Sequence, residues 1–452
     1  MRRLSCFFSL LFLAGIISAE HSGTVFDVIS SREGLSNSSV SSIVQDSSGF
    51  LWFGTQGGLN RYDGYSFKLY ENEPFNRNSL SHNLIQTMYL DTNDVLWIGT
   101  YGGLNRFDIP TEQFQVFRHD PGNPYSLSND VVVSIFRDSK KRLWVGTLQG
   151  LNLFSEETGR FTRFIHDPED PKSLPGNVVR SIIEDREGNL WIATSPGGLA
   201  RLRDDGGFDI LRHDPARKDS LLTDNVMSLA IDQQGRMWVG TWGGGLSLFH
   251  PETGSFEHYP TADNTVYVMN VQEPGIVRVG TWGGGLFEFD TESKTFTRYK
   301  QSEAQGSLSH NIVYSMLVDA AGELWIGTNG GGVNHMSKVR KSYTVYAHNP
   351  KDPQSLPAGK ITAILEDHAG NLWVGAYNGG IARYDEKTQR FIRYVNDPDN
   401  PRSLAGNIIT YLYEDSRNNL WIMTTTGLSR YNPATDDFAN MYADANNPNG
   451  LA

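Results

Sequence analysis

The chain is 452 residues long, with 39 Lys and Arg against 51 Asp and Glu and a formal net charge of −12. That balance disfavours nucleic acid and anionic membrane as partners, since cationic surfaces hold both. The single cysteine, Cys6, excludes a disulfide framework and a cysteine-based metal site or nucleophile in the rest of the chain.

Residues 1–19 read as a secretory signal peptide. Arg2 and Arg3 open it, Leu4 to Ile17 form an apolar run too short to span a bilayer, and cleavage is expected after Ala19. Losing those two arginines takes the charge from −12 to −14. No later stretch reaches about eighteen consecutive apolar residues, so no membrane insertion is expected beyond the signal, and the localisation expected is periplasmic or secreted.

From Glu20 onward one repeat recurs. Trp52, Trp97, Trp144, Trp191, Trp238, Trp325, Trp373 and Trp421 each follow Leu or Met at intervals of 45 to 48 residues, apart from one interval of 87. That long interval hides a degenerate copy, VRVGTWGGGL, with Arg278 in the Trp position, which makes nine units. Each unit carries four short stretches of alternating apolar residues separated by Gly, Asp, Asn and Pro, the pattern of strands and not of helices. In one unit the strands are expected at Val178 to Glu184, Leu190 to Thr194, Leu199 to Leu202 and Phe208 to Leu211. Four strands in about 47 residues match one β-propeller blade. A lone sheet of this size buries too little, so the repeated Trp is expected to pack between neighbouring blades.

An Asp six residues before each Trp, from Asp46 to Asp415, opens a four-residue turn and is expected to accept backbone N–H bonds. The fourth turn position needs positive φ and carries Gly, Asp94, Asn418 or, less comfortably, Lys141. Between units runs a Pro-rich connector such as HDPGNPYSLSND at 119 to 130. Its recurring leucine (Leu80, Leu127, Leu174, Leu308, Leu356, Leu404) is expected to plug it onto the body. The connector histidines His119, His166, His213 and His348 are expected at the surface.

The motif D-x-x-G-x-L-W-[IVF]-G-T-x-x-G-G-[LIV]-x-x-[YF], joined by NPxSLxxN connectors over residues 24 to 452, resembles the two-component regulator propeller family. The resemblance implies a periplasmic sensor region, generally two seven-bladed rings followed by an immunoglobulin-like domain, a membrane helix and a cytoplasmic output module. A kinase or cyclase module is expected in full-length relatives and is absent here. Asn447 to Leu451 reads as the connector of an interrupted tenth unit, so a truncated frame or an excerpt of a longer sensor is expected.

The fold class expected is therefore all-β: a propeller of four-stranded antiparallel blades, with a seven-bladed ring at 20–338 and the first two blades of an incomplete second propeller at 339–452. Closure is read from the seventh unit, whose usual GLxRYD ending is replaced by Gly332-Val333-Asn334-His335-Met336. Val25 to Ile29 is a strand without a blade and is expected to complete that unit, as Tyr343 to Tyr346 would in a second ring. The rival is a single nine-bladed ring.

The loops after each G-T present Gln56, Tyr101, Gln149, Ser195, Trp242, Trp282, Asn329, Tyr377 and Thr426, variable residues on a repeating scaffold. Gln56, Tyr101, Trp242, Trp282, Asn329 and Tyr377 are the candidate ligand-binding residues. Exposed rings beside amides and hydroxyls suit an oligosaccharide or other small ligand; rings folded over the neighbouring glycines to seal the mouth are the structural alternative. Nearly all acids occupy repeated places, so no catalytic residue, metal site or cofactor is expected. The function expected is a non-catalytic sensor of a glycan, with an exported hydrolase or lyase and a protein-interaction platform as alternatives.

Overall fold

A computed structural model describes residues 19–20, 24–304, 306–336 and 346–443. The expected signal core and the expected strand at 343–346, apart from Tyr346, lie outside these residues. Nine antiparallel four-stranded sheets follow one another, with innermost strands starting at Val40, Ile85, Val132, Val179, Val226, Val266, Val313, Ile361 and Ile409. We number them as blades one to nine. Blade four shows how closely local pattern fixes an element: its strands are Val179–Glu184, Leu190–Thr194, Gly198–Leu202 and Phe208–Leu211.

Blade seven takes its outermost strand from the N-terminus. Asp27–Ile29 runs antiparallel to Val333–His335, with Val28 opposite Asn334. Phe26 enters the core beside Leu286, Leu308 and Leu324, edge-on to Tyr299 at 5.7 Å. On the inner side, Ser315 Oγ donates to Val40 O at 3.2 Å and the Gly332 N–H to Ser38 O at 2.7 Å. Blade one thus occupies the face of blade seven, which makes a seven-membered ring and excludes a nine-membered one. Ala19 and Glu20 lie parallel to Thr297 and Arg298 at the rim of blade six.

The chain divides into two compact units, 1–339 and 340–452. In the second, blades eight and nine pack on one another through Trp373, Ile409, Leu412 and Ile422. Their other faces have no covering blade among the described residues: Ile364 is 67% exposed and Tyr411 59%, whereas Ile182, the blade-four counterpart of Ile364, is 5% exposed.

In the blades that carry the Trp, the Asp has a task that the sequence does not announce. Asp46 Oδ1 accepts the N–H groups of Ser48 and Phe50, both at 3.0 Å, as a turn-opening Asp should. Its Oδ2 accepts the indole N–H of Trp52 at 2.8 Å. The same bond recurs in all eight blades that carry the Trp, from 2.8 Å at Asp185 to 3.1 Å at Asp91. A buried indole N–H must find an acceptor, and the turn supplies it. The fourth turn residue has positive φ throughout, including Lys141 at 61°.

The G-T pair is also architectural. A Cβ on Gly99 would lie 2.6 Å from Val132 Cγ1 and 2.9 Å from Val132 O, so glycine lets the next blade approach closely here, and of the seven blades of the ring only blade four departs from it, with the smallest side chain, Ala193. The buried Thr100 hydroxyl donates to Gly103 O at 3.0 Å and receives the Gly102 N–H at 2.9 Å, fixing the loop.

The connector leucines are buried as expected. Two of the connector histidines, His213 and His348, are exposed as expected, and the other two are half-buried. In His119, His166, His213 and His348 alike, Nδ1 donates to the carbonyl of the plug leucine or its equivalent, Leu127, Leu174, Leu221 or Leu356, at 2.6–2.9 Å. Asn72 and Asn396 make the same bond through Nδ2. A side-chain donor is needed because proline leaves the connector short of N–H groups.

The Asp–Trp latch makes the protein acid-sensitive. Burial opposes ionisation of Asp138, Asp185, Asp232 and Asp367, but the indole and turn donors outweigh it and hold these carboxyls below the usual aspartate value of 3.8. On acidification the unfolded chain therefore takes up protons first. This contribution to stability is complete above about pH 5 and is lost as pH falls through about 4 into the depressed native range. Melting temperature against pH should be flat from 7 to 5 and fall below about 4.

Candidate functional site

The loops after the second strands and the ends of the connectors lie at the same end of the ring. The Tyr101 N–H, for example, donates to Leu84 O at 3.1 Å, and the Gly103 N–H to Asp130 O at 2.8 Å. There a cavity of about 580 Å³ opens on the axis. Of the candidate residues, Gln56, Tyr101, Trp242 and Trp282 line it together, joined by Ser195. Asn329 sits at the same rim, where it accepts a hydrogen bond from Ser39 Oγ at 3.2 Å, but it does not line the cavity. Tyr377 belongs to the second unit, 53% exposed, and is no part of this wall.

Two loop positions are corrected by the backbone. Leu148 and Thr425 make the bond to the connector carbonyl that Tyr101 makes, and so are its counterparts. Gln149 and Thr426 stand one place later, with their N–H groups on Thr147 Oγ1 and Thr424 Oγ1 as glycine has elsewhere.

A second ring of lining residues comes from the innermost strands. Pairing with the second strand slips by one between Val40 and Ser42, and at the same place in every blade. The bulged residue leaves the ladder and is turned toward the axis. In the seven-bladed unit these residues are Ser41, Gln86, Val133, Arg180, Met227, Tyr267 and Tyr314, and all but Val133 line the cavity. Alternation alone assigns such a residue to one face of a strand. Its distinguishing signal is variability at the place after the invariantly buried Val or Ile.

The wall is chemically divided. Blades five to seven supply aromatics: Trp242 and Trp282 lie 5.4 Å apart between ring centroids, and Trp282 packs on Tyr267 at 5.2 Å and Tyr314 at 5.4 Å. The two indoles remain 40% and 37% exposed. They form one open cluster with the inner tyrosines and do not close the mouth. Blades one, two and four supply mainly polar groups, Gln56, Gln86, Ser195 and Arg180, with Tyr101 the one aromatic among them, and no carboxylate, imidazole or thiol lines the cavity. Burial pushes the Tyr267 phenol above its ordinary range, against the opposing pull of the Arg180 charge. Tyr314 is raised by burial too. Both therefore present neutral O–H groups at neutral pH. Among the described residues no group of His, Cys, Asp and Glu is arranged to hold a metal ion.

Comparison with known proteins matches this architecture. The model of the two component regulator propeller family matches residues 34–57, 79–102, 126–149, 173–195, 220–243, 307–330, 355–378 and 403–426. The chain belongs to the two-component regulator propeller family. Each matched segment of this regulator propeller runs from a connector to the loop after the second strand, and the unmatched blade is the one with Arg278 in place of Trp. A stretch of 76 residues is 46% identical to Histidine kinase P4 of Formosa agariphila, covering 16% of this chain and 6% of that protein. The extracellular domain of a putative hybrid two component system from B. thetaiotaomicron is similar over 94% of this chain and 55% of its own length, with 28% identity and a TM-score of 0.63. The regulator propeller thus spans about half of that solved domain. Virginiamycin B lyase from Staphylococcus aureus shares the fold alone, at 10% identity and a TM-score of 0.51 over 67% of this chain and 96% of that one. No described helix is long and apolar enough to cross a membrane.

Proposed function

We propose that the chain is a non-catalytic, exported sensing propeller of a two-component-type signalling protein, and that its axial cavity binds a glycan or oligosaccharide. The observation that carries this reading is the wall itself: partly exposed indoles and phenols face amides and hydroxyls. Flat rings stack on the C–H faces of a sugar, while amides and hydroxyls satisfy its hydroxyls. Glycoside hydrolysis in most families requires two carboxylates flanking the bond, and none lines this cavity. Residues 20–338 form the sensing ring on this reading, and 339–452 begin a second propeller. Export is supported by the signal-like residues 1–19 and by the extracellular neighbour. A kinase or cyclase module as the output is supported by the kinase relative.

The test is a thermal-shift and calorimetric screen of the protein against neutral and acidic oligosaccharides. At least one should raise the melting temperature. Trp242→Ala or Trp282→Ala should weaken its binding about tenfold or more, as expected on truncating a central aromatic contact. Turnover of a bound glycan by the wild-type protein would replace this reading with an enzymatic one. Binding undiminished in both tryptophan variants would remove the cavity from it.

A further inference from the structure

Arg180 stands out among the residues of the cavity. It is the bulged residue of blade four, and its Nε is buried without a hydrogen-bond partner among the described residues. No carboxylate forms an ion pair with it there, although acidic residues outnumber basic ones 51 to 39 in the chain. Elsewhere in the ring buried arginines are paired: Arg137 with Asp91 and Glu156, Arg278 with Glu273 and Glu288. A guanidinium held in a cavity wall without an anion is costly to bury, and an anionic ligand group would satisfy it. The planar fork of donors matches the two oxygens of a carboxylate or the face of a sulfate. Arg180 shares the cavity wall with Tyr267, Trp242 and Trp282, so the cation and the aromatic cluster open on one space.

We propose that the ligand of the axial cavity is an acidic saccharide, one that bears a carboxylate or sulfate, with Arg180 pairing its anionic group while Trp242 and Trp282 stack on its ring. This rests on the saccharide reading above and adds the charge. Gln56 and Gln86 form no side-chain hydrogen bond with any described residue, and their amides are therefore available to the hydroxyls of the same ligand.

The experiment is isothermal calorimetry with matched probes: galacturonic acid trimer against galactose trimer for the carboxylate, and a sulfated against an unsulfated chondroitin disaccharide for the sulfate. Benzoate and inorganic sulfate serve as anions without a sugar. One acidic saccharide should bind in preference to its neutral partner and weaken with added salt. Arg180→Gln should cost about tenfold or more in that affinity and flatten its salt dependence, while Arg180→Lys keeps part of it. Melting curves without ligand show that each variant is folded. Equal binding of the neutral partner, or of the acid to Arg180→Gln, overturns the charge and leaves the saccharide reading standing. Binding of benzoate through Arg180 with no saccharide bound keeps the anion site and overturns the saccharide reading. No binding by any probe overturns both.

Discussion

Trp52→Ala lowers the free energy of unfolding by about 3–5 kcal/mol, the range for truncating a large buried aromatic. The side chain is fully buried between blades one and two, among Leu59, Leu80, Ile85, Met88 and Ile98, with Tyr70 and Phe107 each 5.7 Å away between ring centroids. Removing it leaves a cavity that the neighbouring strands, held by their ladders, only partly close. It also leaves Asp46 Oδ2 without the indole donor it receives at 2.8 Å. An unsatisfied buried acceptor alone costs about 1–3 kcal/mol. Trp52→Phe keeps most of the apolar surface and should lose roughly half as much, which separates packing from the latch. Trp421→Ala is the informative control. Trp421 has the same motif and the same bond, to Asp415 at 2.9 Å, but it is only half-buried on the open face of blade nine. Its loss should cost less than half as much. Chemical denaturation followed by far-ultraviolet circular dichroism measures all three, and equal losses at Trp52 and Trp421 would refute the inter-blade account.

The second large effect is at the degenerate blade. Arg278→Met should destabilise the ring by about 3–5 kcal/mol, because it removes a buried cation and strips the counter-charge from two partly buried carboxylates. The Arg278 side chain is 4% exposed; its Nε donates to Glu288 Oε1 at 2.7 Å and its Nη2 to Glu273. Glu288 Oε2 in turn accepts the Tyr299 hydroxyl at 2.9 Å. Burial, and then the Glu288 charge, push that phenol up to about 12, so it stays a donor at any working pH. Blade six has therefore replaced an Asp–indole latch with a guanidinium held by two glutamates. A buried pair adds little net stability once desolvation is counted, whereas half a pair is strongly destabilising. The double variant Arg278→Met with Glu288→Gln should recover at least half of the loss. Calorimetric melting of the single and double variants checks this, and a single variant that melts with the wild type would refute it.

Much of the fold is legible in the order of residues because a blade is a local object. The strands of blade four fall within one residue of their expected places at every end, and two of the four match residue for residue. Alternation of apolar residues, an Asp that opens a turn and a residue with positive φ act over two to six positions. Even the closing strand is readable, because Val25 to Ile29 is a strand without a blade and Gly332 to Met336 a blade without its last strand. Less legible are the groups whose partners are chosen by packing. The indole bond to Asp46, the histidine brace of the connectors and the buried Arg278 network all depend on which side chain burial places opposite which acceptor.

The sequence by itself determined the repeat, the blade and the rim positions Gln56, Tyr101, Trp242 and Trp282, since each follows from short-range pattern counted along the chain, and it left ring closure between seven blades and nine. The tertiary structure alone decided that these four share one cavity while Asn329 stands beside it and Tyr377 belongs to another unit. It alone turned the bulged residues of the innermost strands inward and brought Arg180 to the aromatic cluster. The physical reason is that six of the seven blades contribute one to three side chains each to the cavity, and residues up to 275 positions apart, Ser39 and Tyr314, meet only when seven blades close on one another.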